Sequence, residues 1–197
     1  MGKQPYSIDT IFDNRPSIGE YELLSGEIKE FIVEIIKDSI KANKYLRHNK
    51  KEIEPKVQDL WYLSWGDIIE LRESVKDTQM MEVVRLIYGL KEVDFLRLDL
   101  FNCFAVYKWI TEQLSSISKT EEQELSYEPS SEEKEAGVDM LQEFEYTVSL
   151  DILANGDILK YDEILKQPYA VIFRKLCLDK VKNQIQKNYI ENARRKI

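Results

Sequence analysis

Histidine is almost missing from this chain: 197 residues include one, His48. A Ser-His or Cys-His nucleophile needs a histidine that can move a proton near neutral pH. This one lies in Arg47-His48-Asn49-Lys50-Lys51, which reads as the surface end of a helix. Cysteine is nearly as scarce. Cys103 and Cys177 each fall in an apolar helical pattern and are expected to be small core residues in a reducing compartment, a disulfide between them being the alternative. Two distant cysteines and one histidine cannot compose a zinc site, whose ligands cluster at short spacing. The seven glycines, at 2, 19, 26, 66, 89, 137 and 156, are scattered. Neither phosphate-binding glycine pattern can therefore be written. With five prolines besides, turn material is thin, which favours long helices over many short strands. No apolar run approaches the roughly 18 residues that span a bilayer. The start lacks a hydrophobic signal core, and Tyr6 stands where the myristoylation pattern wants Ser or Thr. The expectation is a soluble intracellular protein without a membrane partner.

Carboxylates are abundant enough to form accidental pairs, such as Asp157 with Asp162 and Glu163. Asn155-Gly156-Asp157 supplies only a fragment of a cation loop, and it reads better as a helix stop. The sequence thus carries no catalytic signature, and no catalytic residue, metal site or cofactor is assigned to it.

What is present is charge and helical period. Net charge is -8, from 28 Lys+Arg against 36 Asp+Glu, but the signs are segregated. Residues 1–111 carry 16 basic and 19 acidic side chains (-3), residues 112–163 carry 3 and 15 (-12), and residues 164–197 carry 9 and 2 (+7). Such blocks complement each other within one fold or between copies of it. The other reading is a basic end meant for an acidic partner, protein or nucleic acid. Nucleic acid is the less favoured of these, because the chain is acidic as a whole and shows no recognisable reading module.

Composition is that of a folded chain, 43% hydrophobic and 32% charged. The pattern predicts an all-α, single-domain helical bundle of about six helices, occupying residues 25–197, with an extended N-terminal arm over residues 1–24. Pro5 and Pro16 interrupt that arm, while Tyr6, Ile8, Ile11 and Phe12 need an apolar surface, on the chain's own domain or on a neighbour. Ser25 opens a helix to about Arg47, buried along Ile28, Phe31, Ile32, Ile35, Ile36 and Ile40, with Lys37, Lys41, Lys44 and Arg47 on its other side. Pro55 marks a boundary. In Leu60–Trp65 the two tryptophans and Tyr62 read as packing anchors. Ser64 and Asp67 have capping spacing for a helix through Val75, and a further helix from Asp77-Thr78 closes at Gly89.

Asp99 leads into a central helix that is apolar on most sides between Leu100 and Ile110. It gives way to an acidic mobile loop over about 118–131. Ser130 and Glu133 form a capping box for one helix through Ala136, Met140, Phe144 and Ile152, stopped by Asn155-Gly156. Pro168 starts a basic helix over about 168–195, with Tyr169, Ile172, Phe173, Leu176, Cys177, Val181, Ile185, Tyr189 and Ile190 as its apolar stripe. That stripe is expected to lie on the central helix near Leu100–Ile110, leaving Lys187, Arg194, Arg195 and Lys196 free for a partner. Gly66-Asp67-Ile68 echoes Gly156-Asp157-Ile158, an echo that recurring helix-start chemistry mostly explains.

GDILKYDEILKQPYAVIFRKL, WYLSWGDIIEL and EEKEAGVDMLQEFEYTVSL together resemble small helical proteins of tailed bacteriophages, the assembly chaperones and the structural components of the tail or head-to-tail region. The resemblance covers about the last third of the chain and the Trp segment, and it contains no chemical motif. It implies a non-enzymatic virion or assembly protein acting on other phage structural proteins or on copies of itself, in the host cytoplasm during assembly or in the particle. The alternative is a regulatory or DNA-contacting helical protein using its basic faces.

Overall fold

The computed structural model describes residues 15–48 and 51–194, apart from the side chains of Ile35, Lys37, Asp38 and Arg194. The fold is all-α. The described residues form ten α-helices and one two-stranded antiparallel hairpin. The helices are α1 (Ile18–Glu22), α2 (Gly26–Ser39), α3 (Trp65–Lys76), α4 (Met80–Tyr88), α5 (Glu92–Phe95), α6 (Leu100–Leu125), α7 (Ser131–Glu135), α8 (Tyr146–Ala154), α9 (Tyr161–Leu165) and α10 (Tyr169–Arg194); the strands are β1 (Leu46–His48) and β2 (Lys51–Ile53). Six of the ten helices, α2, α3, α4, α6, α8 and α10, have nine residues or more.

The described chain divides into two compact units. One takes residues up to Leu60 and Glu70–Leu114; the other takes Trp61–Ile69 and the residues from Ser115 on. In the first, the N-terminal half of α6 is the centre of the core. Leu100, Cys103, Val106 and Ile110 are fully buried, as are Leu71 of α3 and Val83, Val84 and Ile87 of α4. The Asp99 carboxylate accepts from the Asn102 N–H at 2.8 Å and so caps the helix start. Burial pushes the Cys103 thiol well above its ordinary range. Both cysteines are free thiols.

The described part of the arm folds back on this unit. Ser17 caps α1 through a complete capping box with Glu20. The Ile18 N–H donates to the Leu98 carbonyl at 2.9 Å, the Gly19 N–H to Leu96 at 2.9 Å, and the Leu100 N–H to Pro16 at 2.9 Å. A side chain at Gly19 would meet the Leu96 carbonyl oxygen at 3.1 Å, a tight contact that the backbone would have to relieve by a few tenths of an ångström. Residues 18–22 are therefore helical rather than extended.

The helix expected to reach Arg47 ends at Ser39. Polar groups of α6 hold the following segment in another shape. The Lys108 ammonium donates to the Ile40 carbonyl at 3.0 Å, and the Asn43 N–H donates to the Ala105 carbonyl at 3.0 Å. Asn102, itself buried, accepts from the Arg47 N–H and donates to the Tyr45 carbonyl at 3.2 Å. Leu46 is thereby driven into the core and the chain turns into the hairpin, pairing Leu46 with Ile53 and His48 with Lys51. His48 is half-buried in a strand, not at a helix end. Phe31, assigned to the buried stripe of α2, is 44% exposed.

In the second unit α6 runs on to Leu125, so the acidic loop starts at Ser126 rather than near residue 118. The segment from 119 to 125 is made mostly of Glu, Gln, Lys and Leu, all good helix formers that can extend an existing helix. The Ser130–Glu133 capping box is formed, but the single helix expected after it breaks twice. Gly137, at φ +85°, ends α7. Val138–Phe144 is a 3-10 helix, and Glu145, at φ +45°, separates it from α8. Both residues lie outside the right-handed helical region, which a continuous α-helix cannot contain. Asn155 and Gly156, both left-handed, stop α8 as expected. Asp157 then accepts from the Leu159 N–H at 3.1 Å and pairs with Lys160 at 3.1 Å, which accounts for this carboxylate as a cap. Asp67, by contrast, lies inside α3 and donates its N–H to the Ser64 hydroxyl at 3.0 Å. The two Gly-Asp-Ile segments thus use different local chemistry.

Candidate protein-interaction site

The basic helix α10 is built from its N-terminus. Pro168 lacks an N–H, and the backbone on either side is tied to the Trp segment instead: the Trp65 N–H donates to the Gln167 carbonyl at 2.9 Å and the Tyr169 N–H to Leu63 at 2.8 Å. The Trp61 ring stacks on Tyr169, with centroids 5.5 Å apart and planes 7° apart, and meets Phe173 at 4.9 Å. Trp65 is buried and lies edge-on to Tyr146. The two tryptophans are thus the packing anchors expected of them, but Tyr62 is 67% exposed and is not.

Beyond this clamp α10 is held along one side. The Tyr169 hydroxyl bonds the Glu121 carboxylate, and the Lys180 ammonium donates to the Glu124 carbonyl at 2.7 Å. Lys187 reaches Glu133 at 2.7 Å and the Tyr127 hydroxyl at 2.6 Å, with its ammonium 4.7 Å from the Tyr127 ring centroid. The Lys187 bond, aided by Tyr127 and by the Ser130 N–H, holds the Glu133 carboxyl down at about 2. Lys187 is thus engaged within its own unit rather than free for a partner. These partners lie on the C-terminal half of α6 and just beyond it.

The apolar stripe expected on α10 proves to be two faces. At about 100° per residue, Tyr169, Ile172 and Leu176 point with Lys180 and Lys187 toward the unit; Tyr169 and Ile172 are buried. Val171, Leu178, Val181, Ile185 and Tyr189 fall within about 80° of one another on the outer side. They are 48% to 72% exposed. From Val171 to Tyr189 this outer stripe is about 27 Å long, and the exposed Arg174, Lys175 and Lys182 accompany it.

A second exposed apolar surface in the same unit carries the opposite charge. Met140, Leu141 and Phe144 on the 3-10 segment are 73%, 49% and 53% exposed, and Ile152, Ile158 and Leu159 follow at 60%, 71% and 86%. The exposed carboxylates Asp139, Glu143, Glu145 and Asp151 lie among them in sequence. Single exposed apolar side chains are ordinary, but a run of large ones is the mark of an interaction surface.

Of the contact residues expected from the sequence, Tyr6, Ile8, Ile11, Phe12, Arg195 and Lys196 lie outside the described residues, and Arg194 is the last helical residue. The outer stripe is legible in part: the single apolar stripe read from the sequence includes Val181, Ile185 and Tyr189. A helical wheel separates them, whereas nothing local in Met140 and Phe144 signals that their helix breaks and leaves them out.

Elsewhere, a cleft of about 540 Å³ in the first unit is bordered by Arg15, Lys41, Arg47, Asp99 and Asn102. Both of its arginines are ion-paired, Arg15 with Asp99 at 3.1 Å and Arg47 with Glu52 outside the cleft at 3.1 Å. Because α2 stops at Ser39, the basic side chains at 41, 44 and 47 share no helix face. Among the described residues no group of three or more His, Cys, Asp or Glu side chains is placed to hold a metal ion. None of the described helices is long and apolar enough to cross a membrane. Comparison with known proteins finds no matching family model, no matching curated protein and no matching solved structure.

Proposed function

We propose that this chain is a non-enzymatic helical interaction protein, a structural or assembly component of a bacteriophage particle in its tail or head-to-tail region. The observation that carries the interaction role is the outer stripe of α10, five large exposed side chains on one face of a helix whose other face is already bound. A helix that is anchored on one side and apolar on the other presents its free side to a partner at little further ordering cost. The phage setting rests on the sequence resemblance alone.

The test is incorporation. The purified chain is combined with the products of its neighbouring open reading frames, which this reading expects to include portal or tail proteins, and complexes are separated by size with light scattering. Wild type is expected to enter a complex. Val181→Ser with Ile185→Ser is expected to weaken entry by roughly tenfold or more, as loss of central anchors does. Failure of wild type to enter any such complex, or unchanged entry of the double variant, overturns the reading.

A further inference from the structure

We infer that the occupant of the α10 outer stripe is a second copy of this chain, presenting its acidic apolar surface around Met140, Leu141 and Phe144. This rests on the interaction role proposed above and names the partner.

The argument is charge complementarity on matching apolar ground. The stripe joins Val171, Leu178, Val181, Ile185 and Tyr189 to Arg174 and Lys182, with Lys175 paired to Asp179 beside them; the other surface joins three large exposed apolar side chains to Asp139, Glu143 and Glu145, in a block of -12. Pairing the stripe with its own copy would set Arg174 and Lys182 among like charges, which opposes association, while pairing it with the acidic surface neutralises both. Such a contact is heterologous, because the two surfaces differ. Each copy keeps one unused surface, so copies add head to tail into a ring or an open chain.

Complementation between two variants tests this. One carries Val181→Ser and Ile185→Ser, removing the stripe; the other carries Met140→Ser and Phe144→Ser, removing the acidic surface. All four positions are more than half exposed, so both variants should keep the wild-type helical circular dichroism and melting temperature, which is measured first. In sedimentation velocity, wild type is expected to grow in size with concentration and to shrink as salt rises. Each variant alone is expected to be monomeric. Their mixture is expected to form a dimer and nothing larger, since it offers one intact stripe and one intact acidic surface. Self-association of the Met140→Ser, Phe144→Ser variant would overturn the pairing and indicate stripe-to-stripe contact. A monomeric wild type, or a mixture that stays monomeric, would overturn it as well. A wild type that enters particle complexes yet never self-associates would remove this inference and leave the interaction role standing.

Discussion

Helices α6 and α10 are both 26 residues long, yet they are held by different physics. In its first half α6 is surrounded, with Leu100, Cys103, Val106 and Ile110 at 0% exposure. Its stability comes from removing apolar surface from water, and its few polar neighbours strap the 40–48 segment across it. Helix α10 buries only its first turns, under the aromatic clamp at Trp61, then continues on point attachments: a lysine on the Glu124 carbonyl and the Lys187–Glu133–Tyr127 cluster. A helix of the first kind is a scaffold. One of the second kind leaves one face exposed to solvent.

The sharpest break of that comparison is a matched truncation. Ile110→Ala is expected to cost about 2–5 kcal/mol, because a fully buried isoleucine leaves a cavity. Ile185→Ala, at 63% exposure, should stay within about 0.5 kcal/mol. Urea unfolding of both variants measures the difference, and equal losses would mean that α10 is packed as α6 is.

Next in size is Asn102→Ala, which strands the Arg47 N–H and the Tyr45 carbonyl beside the core. About 1–3 kcal/mol should be lost, and hydrogen exchange should quicken at Arg47 before it does within α4. Slower loss at Arg47 than at α4 would show that Asn102 is not the strap.

Ser130→Ala removes one half of the capping box next to the Lys187 cluster and should cost about 1 kcal/mol, read by thermal melting. A change within error would show that the box is dispensable to the anchoring of α10.

The smallest effect belongs to the Lys187–Glu133 pair, which is exposed to solvent. Glu133 has a depressed pKa, so the pair's contribution is present above the ordinary glutamate range and is lost as pH falls through about 2. Carboxyl carbon shifts followed by NMR should place the Glu133 midpoint near that value, and Lys187→Met should raise it toward the ordinary range. A midpoint unmoved by Lys187→Met would show that the pair does not form in solution.

Local chemistry was the most legible layer of the sequence. Ser130 with Glu133, Ser64 with Asp67, the stop at Asn155-Gly156 and the buried run from Leu100 to Ile110 each declare themselves within a few residues. The hairpin at 46–53 was not legible, because its cause is Asn102 and Lys108, about 55 and 68 positions away from the groups they bind. The engagement of Lys187, expected to be free, is hidden for the same reason: its partners lie 54 and 60 residues back along the chain.

The candidate site divides along the same line. Helical period and segregated charge placed a basic amphipathic helix near the C-terminus and an acidic apolar stretch before it, and the sequence by itself determined that much, because periodicity and charge are properties of neighbours along the chain. Which apolar residues of α10 face inward, and that Met140, Leu141 and Phe144 end up outside, only the tertiary structure decided. Burial depends on what arrives from distant segments, here Trp61, Glu121 and Tyr127, and on where the helix breaks, at Gly137 and Glu145.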